Sequence, residues 1–140
     1  AHSLTLALAA LDIVHLPSHA VESVIALSIV FLAVEIAKGP RDSLTWRQPV
    51  FVAASFGLLH GFGFAAVLGE IGLPREGLLT ALLAFNLGVE IGQLVFVVAI
   101  FALVKALVSR LSAAQPQHLQ RAAAYFVGIL ASYWMFARIV

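Results

Sequence analysis

Leu94-Val-Phe-Val-Val-Ala-Ile-Phe-Ala-Leu-Val104 is an unbroken apolar run inside a longer apolar segment that extends from about Gly77 to Ser109. A helix needs about 20 such residues to cross the hydrocarbon core of a bilayer, so this segment is long enough to span it at a tilt or to protrude from it. Four further apolar runs lie at about Ala1–Leu16, Ala20–Lys38, Pro49–Gly69 and from Arg121 to the end. The sequence therefore predicts an all-α, polytopic bundle of about five transmembrane helices, with residues 1–140 as a single transmembrane domain.

The beginning of the chain lies inside the first apolar run. It has neither an initiator Met nor a charged leader, and a signal peptide would need a charged region before its apolar core. We expect that the N-terminal part of the natural protein precedes residue 1.

The composition argues against a soluble domain. Only 11% of the residues are charged and 62% are hydrophobic, with a mean hydropathy of +1.04, whereas soluble domains carry about 25% charged residues. Lipid tolerates so apolar a surface, so the bilayer is the first expected partner. A net charge of +1 without a dense Lys/Arg cluster argues against binding to nucleic acid. Cysteine is absent, so a bound metal must be held by imidazole, carboxylate or amide groups.

Positive charge is unevenly distributed between the connections. The second and fourth connections hold most of it, in Lys38, Arg41, Arg47, Lys105, Arg110 and Arg121. The positive-inside rule places these connections in the cytoplasm, although Arg138, near the outward C-terminus, opposes this orientation. The first connection, on the outer face, holds Asp12, His15, His19 and Glu22. This rim is expected to be a solvated loop, with capture of a divalent cation as the alternative.

Polar side chains within the apolar runs are the strongest functional signal. They are His2, Glu35, His60, Asn86, Glu90 and Gln93. An ionised group at the bilayer centre costs about 2.5–3.5 kcal/mol on insertion scales, so such groups face the bundle interior and often mark a pathway. Asn86, Glu90 and Gln93 are spaced i, i+4, i+7 and share one stripe of their helix. The alternative for each of these groups is structural, as a neutral partner in a hydrogen bond between helices.

Two glycine pairs predict close helix packing. They are Gly57 and Gly61 in the third run, and Gly88 and Gly92 in the fourth. A spacing of four residues between small side chains lets helix backbones approach, so we hypothesise that His60 and Glu90, which lie beside these glycines, come together. Glu35 and His2 both lie toward the cytoplasmic side, and we hypothesise that they form a second pair. The two pairs would make a polar line from mid-membrane to the inner face.

Imidazole and carboxylate ligands without thiolates suit nickel, cobalt, zinc or Cu(II) and disfavour Cu(I). A transport site must release its ion, so two to four ligands of this kind are sufficient. Gly-Phe-Gly-Phe at 61–64 is not an ATP-binding loop, because no Lys-Ser/Thr follows it. Transport would therefore be a channel or secondary process, or would be energised by a partner.

Three motifs carry a resemblance to a known family. They are Ala1-His2-Ser3-Leu4-Thr5-Leu6, Leu-Leu-His-Gly-Phe-Gly-Phe-Ala at 58–65, and Phe-Asn-Leu-Gly-Val-Glu-Ile-Gly-Gln at 85–93. Together they resemble the HupE/UreJ family of bacterial inner-membrane proteins, which are linked to nickel supply for hydrogenase and urease. The resemblance implies a permease for a divalent metal, with nickel as its main substrate and copper, cobalt or zinc as alternatives. It implies metal-binding roles for His2, Glu35, His60, Asn86 and Glu90.

Other functions remain open on the sequence. The chief alternative is a non-transporting membrane subunit that anchors or assembles a metalloenzyme, including one that handles copper, with other membrane subunits or further copies as partners. An intramembrane metallohydrolase is disfavoured, since no His-x-x-Glu-His spacing or Ser nucleophile motif occurs, and no enzyme activity is expected. A haem protein would have only His2 and His60 as candidate axial ligands.

Overall fold

The computed structural model describes residues 1–71, 77–110 and 116–139. This part of the chain contains helices and no strand, which confirms the predicted all-α class. The helices are α1 (His2–Ala10), α2 (Ser18–Lys38), α3 (Leu44–Arg47), α4 (Pro49–Ile71), α5 (Leu78–Arg110) and α6 (Pro116–Ile139).

Four of these helices are long and apolar enough to cross a membrane. The candidate spans are Ser18–Lys38, Pro49–Gly69, Leu78–Ala106 and Gln117–Ile139. Their lengths of 21, 21, 29 and 23 residues match or exceed the roughly 20 that a bilayer core requires. The chain is thus a multi-pass membrane protein, and the prediction of about five transmembrane helices is close.

The first apolar run forms a much shorter helix than its sequence predicted. Helix α1 ends at Ala10 because Asp12 adopts a left-handed backbone conformation with φ of 64°. The Ile13 amide donates to the Leu8 carbonyl at 3.0 Å and the Asp12 amide donates to the Ala9 carbonyl at 3.0 Å, which is the hydrogen-bond pattern of a Schellman C-cap. Nine residues rise only about 14 Å, less than half the hydrocarbon thickness.

The structure comprises two compact units. The first contains Ala1–Gly72 together with Gln120–Val140, and the second contains Leu73–Leu119. In the first unit α1 and α2 both pack against α4, and Leu6 of α1 is completely buried. The predicted breaker Gly39 ends α2 with a positive φ of 76°, a conformation that favours glycine. The short helix α3, which the sequence did not reveal, follows this turn.

Helices α2 and α6 are joined at both a small-residue contact and an ion pair. A Cβ added at Gly128 would lie 3.2 Å from the Ala33 Cβ, so glycine lets the two helices approach closely at this point. Farther along, Arg138 Nε lies 2.5 Å from Glu22 Oε2. The two helices are therefore antiparallel. Arg138, the basic residue that opposes the predicted orientation, is thus paired with Glu22 of α2.

Candidate metal-binding site

His60 lies half-buried on α4 with one ring nitrogen already engaged. Its Nδ1 is 2.8 Å from the Phe56 carbonyl oxygen. A carbonyl can only accept a hydrogen bond, so Nδ1 carries the proton. In the neutral imidazole the lone pair is then on Nε2. Metal-binding histidines commonly have this arrangement, in which the second ring nitrogen donates to a carbonyl or carboxylate and fixes the tautomer.

His2, at the start of α1, presents a second unused imidazole nitrogen. Its Nε2 is buried and has no hydrogen-bond partner in the part of the chain that the structure describes. The ring meets Phe64 of α4 edge-on, with the ring centroids 6.2 Å apart and the ring planes at 71°. A buried polar atom without a partner is costly, so this nitrogen is well suited to bind a ligand.

The close approach of α1 to α4 brings these two histidines to one side of α4. A Cβ at Gly61 would overlap the Thr5 hydroxyl and the His2 carbonyl, and would lie 2.9 Å from the His2 carbonyl carbon. His60 and Phe64 are four residues apart and share one flank of α4. Since the His2 ring packs edge-on against Phe64, we infer that both imidazoles lie toward that flank.

Thr5 joins the two helices and was not among the residues predicted to be functional. Its side chain is buried, and its hydroxyl lies 2.7 Å from the Leu58 carbonyl of α4 and 3.2 Å from the His2 carbonyl of α1. A hydroxyl has one proton to donate, and the shorter distance assigns it to Leu58. The sequence signal was present in the His-Ser-Leu-Thr motif at 2–5, where Thr5 follows His2 by nearly one turn.

Thr5→Val is expected to loosen α1 from α4, because it keeps the shape of the side chain and removes the hydroxyl that donates to the Leu58 carbonyl. The expected loss is about 0.5–1.5 kcal/mol in the free energy of unfolding, measured by thermal or denaturant unfolding in detergent. Thr5→Ser, which retains the hydroxyl, should recover most of it. Thr80→Val, at an exposed position of α5, is the matched control, and an equal loss there would contradict the assignment.

Glu35 lies buried near the end of α2, with a side chain only 3% exposed, and its carboxylate is already engaged. Arg41 Nη2 donates to Oε1 as an ion pair, and Ser43 Oγ donates to Oε2 at 2.5 Å. No hydrogen bond or ion pair among the described residues joins Glu35 to His2, the partner hypothesised from sequence. In this arrangement Glu35 anchors the connection from α2 to α3, of which Ser43 is the N-cap residue.

Arg41→Ala is expected to lower the thermal midpoint of unfolding, since it leaves the buried Glu35 carboxylate without its cation. Arg47→Ala is the matched control: its ion pair with Asp42, at 3.5 Å, is formed by side chains 72% and 83% exposed, and such surface pairs contribute little. A midpoint change no larger in Arg41→Ala than in Arg47→Ala would show that the Glu35 ion pair does not stabilise the fold.

Asn86 and Glu90 belong to α5, in the second unit. Asn86 Nδ2 donates to the Leu82 carbonyl at 3.1 Å, while its Oδ1 is buried without a hydrogen-bond partner among the described residues. Glu90 is exposed within the described structure. It follows Asn86 by four residues and therefore shares the same flank of α5. The association of His60 with Glu90 and the packing role of Gly88 and Gly92 stay predictions from sequence.

Two rim residues of the first connection pair locally with each other, whereas Glu22 pairs with Arg138 of α6. His15 and Asp12 pair through Nε2 and Oδ1, and both side chains are largely exposed. Across residues 1–71, 77–110 and 116–139, no group of three or more His, Asp or Glu side chains lies close enough to hold a metal ion. Within the described part of the first unit, the candidate donors on the flank of α4 are therefore the two imidazoles of His2 and His60, without a third His, Asp or Glu close by.

Residues 1–138, nearly the whole chain, match the family model described as HupE / UreJ protein. No curated protein and no solved structure is significantly similar to the chain.

Proposed function

The chain belongs to the HupE/UreJ family, and on this premise we propose that it is a permease for a divalent transition-metal ion. The family is associated with nickel and cobalt transport across membranes rather than with catalysis. Nickel is the proposed main substrate, carried across the bacterial inner membrane for the maturation of metalloenzymes. The observation that carries the proposal is the fixed imidazole of His60, whose Nδ1 is bound to the Phe56 carbonyl at 2.8 Å.

His60 and His2 are the proposed donors of the first unit. Each supplies an Nε2 atom, the borderline nitrogen donor that suits nickel, cobalt, zinc and Cu(II). Two imidazoles hold an ion less firmly than the three or four ligands of a permanent site, which favours release and hence transport. We leave Glu35 out of the proposed ligand set, because Arg41 and Ser43 engage its two oxygens.

Asn86 and Glu90 are proposed as further oxygen donors from the sequence pattern alone. Amide and carboxylate oxygens i, i+4 apart on one helix can serve the same ion in turn. A carboxylate that binds a proton when the metal leaves would couple metal movement to proton movement. Such coupling requires no nucleotide, in agreement with the lack of a phosphate-binding loop in the sequence.

Equilibrium binding and uptake with purified protein test the proposal. The protein in lipid nanodiscs is titrated with nickel, cobalt, zinc and Cu(II), and the same preparation in proteoliposomes is assayed for nickel entry. We expect saturable binding near one ion per chain, and uptake that depends on the protein and responds to a proton gradient. Stable protein that neither binds nor admits any of the four metals would overturn the proposal. Co-purification with a metalloenzyme in that case would favour the membrane-subunit alternative.

A further inference from the structure

A groove between α2 and α6 has the dimensions and the charge distribution of a lipid site. Its volume is about 470 Å³, and its lining includes Val30, Ala33, Ala37 and Lys38 of α2 and Tyr125 and Gly128 of α6. Small side chains form its floor: Ala33 is buried, and Gly128 approaches it so closely that an added Cβ would lie 3.2 Å away. The groove exists because these positions lack larger side chains.

The groove is apolar along its length and cationic at one end. Among the described residues that line it, Lys38 is the charged one, and it is the last residue of α2. No carboxylate among the described residues forms an ion pair with Lys38, whereas the nearby cations Arg41 and Arg47 are paired with Glu35 and Asp42. Lys38 is therefore the cation at this end of α2 that remains available to an external anion.

The length of the groove matches one leaflet of a bilayer. From Val30 to Lys38, α2 rises about 12 Å, close to the roughly 15 Å that is half of the hydrocarbon core. Tyr125 lines the same groove and is largely exposed. Its amphipathic ring is of the kind that sits at the headgroup level of a membrane.

From these features we propose that the groove binds one anionic phospholipid of the leaflet on the Lys38 side. An acyl chain lies along the small-residue floor between α2 and α6, and the phosphate accepts a hydrogen bond from the Lys38 ammonium. Basic residues between transmembrane helices commonly recognise anionic headgroups in this way. Such a lipid would fill the space beside Ala33 and Gly128, where the two helices have no large side chains of their own.

Native mass spectrometry of the detergent-purified protein tests this site. The protein is incubated with equimolar phosphatidylglycerol and phosphatidylcholine of identical chain length, and retained lipids are counted. We expect wild type to retain phosphatidylglycerol about fivefold better, which corresponds to about 1 kcal/mol for one basic residue near the membrane surface. Lys38→Gln should remove this preference. Lys105→Gln, which removes the same charge from an exposed position of α5, should leave it unchanged.

A second variant tests the groove itself. Ala37→Phe places a ring in the groove beside Lys38 and should lower retention of both lipids. The helix content and elution volume of this variant verify that it is folded. Equal retention of the two lipids by wild type, or equal loss of preference in Lys38→Gln and Lys105→Gln, would overturn the proposal. A two-chain species that disappears in Ala37→Phe would assign the groove to a second copy of the protein instead.

Discussion

Replacement of His60 by alanine is expected to lower the affinity for nickel at least 100-fold and to reduce nickel uptake to the level of protein-free liposomes. Mutation of residues that merely orient a metal ligand commonly costs about 10–100-fold in affinity, and here the ligand itself is removed. Among the described residues, the hydrogen bond of the ring is to the Phe56 carbonyl on the same helix. The folded protein should therefore be retained.

His118→Ala is the matched control for this experiment. His118 lies at an exposed position in the first turns of α6, so its removal deletes an imidazole without touching α4. Both variants are compared with wild type by calorimetric titration in nanodiscs and by uptake at equal protein abundance. Undiminished uptake in His60→Ala would exclude His60 from the transport path, and equal losses in both variants would point to non-specific binding of metal by histidines.

The sequence was sufficient to locate the long helices. Apolar length and punctuation placed the second and third runs within two residues of α2 and α4 at all four ends. At three of these ends Pro17, Gly39 and Pro49 end or begin the helix for local reasons. It failed at α1, where hydropathy continues to Leu16 but the helix stops at Ala10. The cause is the backbone conformation of Asp12, which no hydropathy pattern records.

The sequence identified candidate ligands more readily than their partners. The cost of polar groups in an apolar run singled out His60 and Glu35, and that argument requires no structure. The partners depend on how the chain turns. Arg41 and Ser43 reach Glu35 across the bend after Gly39, at separations of six and eight residues that match no helical period. Contacts of this kind follow only from three-dimensional structure.

Gly61→Ala is expected to destabilise the protein, although alanine is normally the better residue in a helix. The added methyl group would overlap the Thr5 hydroxyl and the His2 carbonyl, and the latter is backbone that cannot rotate away. Overpacking of this kind costs about 1–3 kcal/mol, against about 0.5–1 kcal/mol gained from the helix preference of alanine over glycine. The net effect is a loss, because α1 must move away from α4.

Two other glycines of α4, Gly57 and Gly69, provide a graded control for that prediction. A Cβ at Gly57 would lie 3.0 Å from the Ala1 Cβ, whereas a Cβ at Gly69 would have no described atom within 4 Å. The thermal unfolding midpoint of Gly69→Ala should equal or exceed that of wild type, and that of Gly57→Ala should be slightly lower. Gly61→Ala should have the lowest midpoint of the three variants. Because displacement of α1 also moves His2, Gly61→Ala should weaken nickel binding more than Gly57→Ala does. A Gly61→Ala protein as stable as Gly69→Ala would show that α1 and α4 do not make this contact, and the shared flank of His2 and His60 would be lost with it.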